Sequence, residues 1–289
     1  MTTEVANMII EKIDRILNDN IFEGINIHYF GGEPLLNIPV LIYLDENIKK
    51  ITDKIGIVYK AFLTTNGSML SKELLQKVKF SSIQLTFDGL EKTHDRLRVS
   101  DHFHFKEEIE LIENIMNFSQ AKVLLRTNIC KENKDEIIAL HKYIFEKFGN
   151  ERIEINPNRT IKYHQDDSFE MLSVQEYAEV AYQIKLLWSE QKGKFELPVP
   201  RSTPCKFPYG NAYAISPEGY CTFCSGSMDQ EKKYFFDVDI ENKKMFSARK
   251  ECKKCNILPL CLGGCIIQYN LRAGACTCLL YTSPSPRDS

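Results

Sequence analysis

The tightest constraint on this chain is a repeated switch of apolar spacing, between about 3.6 residues and two, over its first two-thirds. Val5, Ile9, Ile13, Ile16 and Leu17 follow helical spacing, and Ile25-Asn26-Ile27-His28-Tyr29-Phe30 reads as a strand. The alternation continues as helix about 38–54, strand about 57–64, helix about 71–78 and strand about 82–87. A helix near 105–117 and a strand from Lys122 to Asn128 come next. Asn133-Lys134-Asp135-Glu136 resembles a capped start for a helix through Lys147, and Arg152 to Asn156 is a further short strand. Ser173-Val174-Gln175-Glu176 is a capping box opening a long helix through Trp188 to about Lys192. Strand–helix alternation predicts an α/β fold with parallel strands and helical crossovers. Five strands are too few for a closed eight-unit barrel. An open or partial barrel is expected, with its site at the C-terminal strand ends.

After Pro198-Val199-Pro200 the chain breaks into short segments punctuated by Cys, Gly and Pro, which puts a domain boundary near 195–204. Of ten cysteines, nine lie at or after Cys205. In a reducing compartment such a cluster binds metal more often than it forms disulfides. All six histidines precede residue 165, so a metal site in the tail must be built from thiolates. Charge is nearly balanced, 37 Lys+Arg against 39 Asp+Glu, which argues against a nucleic-acid or anionic-membrane partner. No signal-peptide pattern opens the chain, and the longest apolar stretch, Leu35 to Leu44, carries Asn37 and Pro39. That stretch is too short to span a bilayer. A soluble, cytoplasmic protein is expected.

Three strand ends carry unusual residues. The first runs into Gly31-Gly32-Glu33-Pro34, where bare backbone admits a ligand closely and a carboxylate can accept from an ammonium group. The others are Leu63-Thr64-Thr65-Asn66-Gly67 and Gln84-Leu85-Thr86-Phe87-Asp88-Gly89, the latter followed by His94-Asp95-Arg96-Leu97-Arg98. Arg126-Thr127-Asn128 closes the next strand. Each alone is an ordinary tight turn; three in order, each at a strand end, are not explained by turns. In the tail, Cys205 and Cys224 form C-x13-G-x4-C around Gly219. Cys252, Cys255, Cys261 and Cys265 form C-x2-C-x5-C-x3-C. Thiolates at such spacing suit iron–sulfur clusters or a structural zinc.

Together these strings resemble the radical S-adenosylmethionine (radical SAM) enzymes of the SPASM type. The resemblance implies a partial (β/α)6-type radical SAM barrel lacking its first strand over residues 1–195, then a small Cys-rich SPASM domain over 196–277. By family pattern S-adenosylmethionine (AdoMet) would be held by Gly31, Gly32, Glu33, Pro34, Asn66, Thr86, Asp88 and Arg126. Thr86 stands where the family often has Ser, touching the cofactor ribose, and Arg126 would contact the cofactor carboxylate. Cys205, Cys224 and Cys265 would serve a first auxiliary [4Fe–4S] cluster, with Cys221 a further ligand or a bystander. Cys252, Cys255 and Cys261 would serve a second, completed by Cys276. Cys130 reads as a packed small hydrophobe, and His94 as a hydrogen-bonding loop residue rather than a base. The implied activity is generation of a 5′-deoxyadenosyl radical that modifies a peptide or protein side chain. A ferredoxin or flavodoxin would donate the electron. A non-catalytic zinc- or cluster-binding module is the reading from another class.

Two departures matter. No three cysteines have the family's C-x3-C-x2-C spacing, which should precede the opening helix. The resemblance therefore makes Met1 an internal methionine or a false start, and the chain as written inactive. In anaerobic sulfatase maturases an Asp follows the Cys of G-x4-C, whereas Ser225 follows Cys224 here, which favours ribosomal-peptide modification over sulfatase maturation. Residues 278–289, ending Tyr281-Thr282-Ser283-Pro284-Ser285-Pro286-Arg287-Asp288-Ser289, resemble a translated sequencing adapter and are set aside.

Overall fold

A computed structural model describes residues 1–19, 21–98, 100, 103–149, 152–160, 169–193, 212–222, 233–237, 250–255 and 258. Its chain divides into two compact units. The larger comprises Ile10–Leu172 and Val180–Lys194; the other comprises Met1–Ile9, Ser173–Glu179 and Phe195–Ser289.

In the larger unit, strands β1 (Gly24–Tyr29), β2 (Val58–Thr64), β3 (Phe80–Thr86), β4 (Lys122–Ile129) and β5 (Ile153–Arg159) form one sheet. Every neighbouring pair is parallel, and spatial order equals chain order. Sequential order with crossovers of one hand puts the helices on one face. The burial pattern agrees. Val123, Leu125, Thr127 and Ile129 of β4 are fully buried, while the alternating Lys122, Leu124, Arg126 and Asn128 are not. A sheet covered on both faces would read as continuously apolar; this one keeps a polar face.

The helices are α1 (Thr3–Asp19), α2 (Ile38–Ile55), α3 (Lys72–Lys77), α4 (Glu91–Leu97), α5 (Phe105–Phe118), α6 (Lys134–Phe148) and α7 (Val174–Lys192). Buried Ala6, Ile9, Ile13 and Leu17 give α1 its apolar stripe. On α5, Ile109, Ile112 and Ile115 do the same, as do Ile137, Leu140 and Ile144 on α6. Within the larger unit, the α5 and α6 stripes with Leu63, Ile83, Leu85 and Leu125 form the core between sheet and helices. Burying an Ile or Leu side chain fully contributes about 1.5–3 kcal/mol.

Ser173 caps α7 as its sequence predicts: Glu176 N donates to Ser173 Oγ at 3.1 Å, and Ser173 N to Glu176 Oε2 at 2.8 Å. Two local expectations fail. Residues 91–97 form a helix, α4, where no helix is expected. Asn133 makes no cap bond to α6, because the oxygen that would accept it takes the Cys130 N–H instead.

In the other unit, β6 (Ala214–Ile215), β7 (Tyr220–Thr222) and β8 (Lys233–Tyr234) form an antiparallel sheet. Gly219, the glycine of C-x13-G-x4-C, turns the chain between β6 and β7 at φ 89°, and Gly219 N donates to Ser216 O at 2.9 Å. Positive φ is what a glycine tolerates and other residues resist. A short 3-10 helix covers Lys250–Lys254.

Candidate functional site

The predicted residues come together at the C-terminal ends of β1 to β4. Past β1, Gly31 has φ 146°, and a Cβ added to Gly31 or Gly32 would meet nothing within 4 Å. Bare backbone therefore faces open space there. Pro34 opens a 3-10 turn (Pro34–Asn37) that Glu33 caps through a 2.9 Å bond from Leu35 N to its Oε1. The same oxygen accepts from Thr65 Oγ1 at 2.7 Å, and Oε2 from Asn66 N at 2.7 Å. Glu33 thus staples the β1 end to the β2 end. A carboxylate has about four acceptor positions; three are taken, leaving one for an incoming donor. Asn66 folds back on its own turn, its Oδ1 accepting from Ser68 N at 3.0 Å and Ser68 Oγ at 2.9 Å.

At the β3 end, Thr86 and Asp88 are buried. Asp88 Oδ1 accepts from Asn128 N at 2.9 Å, and Oδ2 lies 3.3 Å from Arg98 Nη1. Its carbonyl accepts from Asn133 Nδ2 at 2.8 Å. Its N–H points at His94 Nδ1, 3.4 Å away. Burial raises the Asp88 carboxyl above the usual carboxylate range, opposed by Arg98 and the Asn128 N–H. His94, expected on a loop, stands instead on helix α4, with its Nδ1 accepting from the N–H at the β3 end.

Behind His94 lies Glu108, its Oε2 3.2 Å from His94 Nε2 and both residues buried. Neither Glu108 oxygen has a hydrogen bond of good geometry. Burial holds Glu108 well above the usual carboxylate range, and burial with Arg98 pushes His94 down to about 4. At neutral pH the imidazole is uncharged, so this contact is not a His–Glu ion pair. Nδ1 accepts from the Asp88 N–H, so the His94 proton sits on Nε2, the ring nitrogen nearer Glu108.

On the polar sheet face Arg126 lies opposite Thr86 on one side and Asn156 on the other. Its Nε donates to Asn128 Oδ1 at 2.9 Å, which leaves the two terminal nitrogens for a ligand. Gln84, buried beneath, accepts from Asn156 Nδ2 at 3.2 Å. Bare glycine backbone, an acidic acceptor, a guanidinium and short polar side chains suit a ligand carrying an ammonium, a carboxylate and hydroxyls.

The chain resembles solved structures of anSMEcpe, an anaerobic sulfatase maturase, with AdoMet bound: 18% identity, TM-score 0.71, covering 92% of this chain and 80% of that one. For anSMEcpe with AdoMet and a Cp18Cys peptide the values are 18%, 0.72, 92% and 81%. Streptococcus suis SuiB bound to S-adenosylmethionine shares 18% identity at TM-score 0.58, covering 91% of this chain and 66% of that one. The fold is that of a partial radical SAM barrel. No protein-family model and no curated protein matches the sequence.

Within that radical SAM barrel, the predicted Gly31, Gly32, Glu33, Pro34, Asn66, Thr86, Asp88 and Arg126 all lie at successive strand ends. The bonds of Asn128, Asn133 and Arg98, and the contact of Glu108, join residues far apart in the chain and have no local signal in the sequence. Cys130 is buried, and burial raises its thiol, as for a packed hydrophobe. Cys221 is buried on β7, its thiol pushed up to about 11. Cys255 N donates to Cys252 O at 3.0 Å. Cys205, Cys224, Cys261, Cys265 and Cys276 lie outside the described residues. Among the described residues no three His, Cys, Asp or Glu gather as a metal site, and no helix is long and apolar enough to cross a membrane.

Proposed function

We propose that this chain is the AdoMet-binding portion of a radical SAM enzyme that modifies a peptide or protein side chain. The observation that carries this is the alignment of Gly31-Gly32-Glu33, Thr86 and Arg126 along the C-terminal ends of one parallel sheet. The Gly31-Gly32 backbone admits the methionine end of the cofactor, with the remaining Glu33 lone pair accepting from its ammonium. Arg126 offers two unspent nitrogens to its carboxylate, and Thr86 a hydroxyl to its ribose. When bound to a reduced [4Fe–4S] cluster, AdoMet supplies a carbon radical that abstracts hydrogen from a substrate. The protein's part is to hold and orient that cofactor, and to let substrate approach over the polar face bearing Gln84 and Asn156.

The tail cysteines Cys205, Cys221, Cys224, Cys252, Cys255, Cys261, Cys265 and Cys276 are proposed ligands of one or two auxiliary clusters. The sequence holds no C-x3-C-x2-C, so this polypeptide by itself does not ligate the catalytic cluster. The peptides in the anSMEcpe structures support a peptide substrate; Ser225, after Cys224, favours a class other than sulfatases. A ferredoxin- or flavodoxin-type donor and a cytoplasmic location belong to the same proposal.

Anaerobic reconstitution with iron and sulfide tests it. Brown protein with broad visible absorbance is the expected result, with no 5′-deoxyadenosine formed from AdoMet and dithionite. Colourless protein holding tight zinc would favour the non-catalytic module instead. Release of 5′-deoxyadenosine would overturn the claim of inactivity.

A further inference from the structure

Asn133 lies in the β4–α6 connection and is 1% exposed. Its Nδ2 donates to Asp88 O at 2.8 Å and to Asn128 O at 2.8 Å, and its Oδ1 accepts from Cys130 N at 2.9 Å. The carboxamide spends both donors on carbonyls of two different strand ends. A carboxylate of the same shape has no donor to give, and an apolar isostere has neither donor nor acceptor.

Position makes these bonds matter. The paired β3–β4 register ends at Thr86 opposite Arg126. Asp88 and Asn128 lie two residues beyond that pair, past the last registered rung. There the two ends are joined by Asn128 N donating to Asp88 Oδ1, and by Asn133 reaching both carbonyls. The apolar core residues of these strands, Leu85, Leu125 and Ile129, lie on the other face of the sheet. Loss of its donors should splay the strand ends before it loosens the core.

The geometry points to Asn133 as a positioning residue that fixes the spacing of Thr86 and Arg126 for the cofactor. This inference rests on the reading of these strand ends as the AdoMet site. Asn133 touches no ligand in this role; it acts through Asp88 and Asn128.

The test compares wild type, Asn133→Asp and Ile144→Val by thermal melting and by equilibrium dialysis against AdoMet. Ile144 is a fully buried α6 residue away from the strand ends. Its variant serves as a control for stability lost without donors lost. At a temperature where all three are folded, Asn133→Asp is expected to raise the AdoMet dissociation constant by at least about tenfold. Ile144→Val should lower the melting temperature yet leave affinity within about twofold. Should Asn133→Asp fail to fold, Asn133→Ser, which keeps one donor, is expected to show an intermediate loss. Wild-type affinity in the folded Asn133 variants overturns the role of Asn133 alone. A wild-type chain that binds no AdoMet overturns the site itself, and the inference with it.

Discussion

His141 of α6 is fully buried between Thr127 Oγ1, 3.1 Å from its Nε2, and the indole of Trp188, whose Nε1 donates to its Nδ1 at 3.1 Å. Because Nδ1 accepts, the ring proton sits on Nε2 and points at Thr127. Protonating Nδ1 would put two N–H groups face to face in the core. Burial accordingly pushes His141 down to about 3 from 6.5. The unfolded chain therefore binds a proton below pH 6.5 that the folded chain refuses. Stability from this residue is fully present above pH 6.5 and drains as pH falls toward 3, at about 1.4 kcal/mol per pH unit. Between pH 6.5 and 4.5 that is about 2.7 kcal/mol, a large part of a typical 5–15 kcal/mol stability. His94, pushed down to about 4, loses stability in the same direction from 6.5 downward. Glu108, Asp88 and Asp45 are raised, so each contributes the opposite slope above its ordinary value. The wild-type curve therefore mixes signs, and only a difference isolates His141. The assay is urea unfolding at pH 7.5, 6.0 and 5.0, followed by the emission of Trp188, the sole tryptophan. Relative to wild type, His141→Gln should be less stable at pH 7.5, with a gap that narrows by about 1.4 kcal/mol per unit below pH 6.5. Parallel stability curves for the two proteins would refute the buried neutral imidazole.

Three further outcomes follow from the geometry. Glu33→Gln puts an NH2 group against one of the N–H or O–H donors the carboxylate now accepts. It should lower stability by about 1–3 kcal/mol in urea unfolding and weaken AdoMet binding in dialysis. Gly67→Ala forces an alanine to φ 87° with its Cβ 2.6 Å from Leu111 Cδ2. A loss of about 1–3 kcal/mol is expected from strain and overpacking; Gly31→Ala, at φ 146° with its added Cβ meeting nothing within 4 Å, carries the backbone strain without the overpacking and should lose less. Cys221→Ala is expected to lower the iron content of reconstituted protein, as for a cluster ligand; unchanged iron would make Cys221 a packed bystander.

The sheet was legible because the apolar period switches cleanly between strand and helix, and each crossover helix carries a stripe of Ile and Leu. Helix α4 was not, because of its residues only His94 is buried, so Glu91–Leu97 shows no stripe for periodicity to find. Asn133 before Lys-Asp-Glu has the local look of an N-cap, but its bond to Asp88 spans 45 residues, beyond any local rule. Glu33 illustrates a related limit. Its place beside two glycines was visible, but not its prior engagement with Thr65 and Asn66, 32 and 33 residues on. The motif names the group, while the fold decides how many of its lone pairs remain.

The central claim is that the ends of β1 to β4 bind AdoMet. Hydrogen–deuterium exchange with and without saturating AdoMet reports on it directly, because the amides of Leu35, Asn66 and Asn128 sit in those ends. The account predicts added protection in segments 30–36, 65–68, 86–89 and 126–133, and none in segment 113–117 near the C-terminal end of α5. Unchanged exchange throughout, or protection confined to segments away from the strand ends, would contradict it.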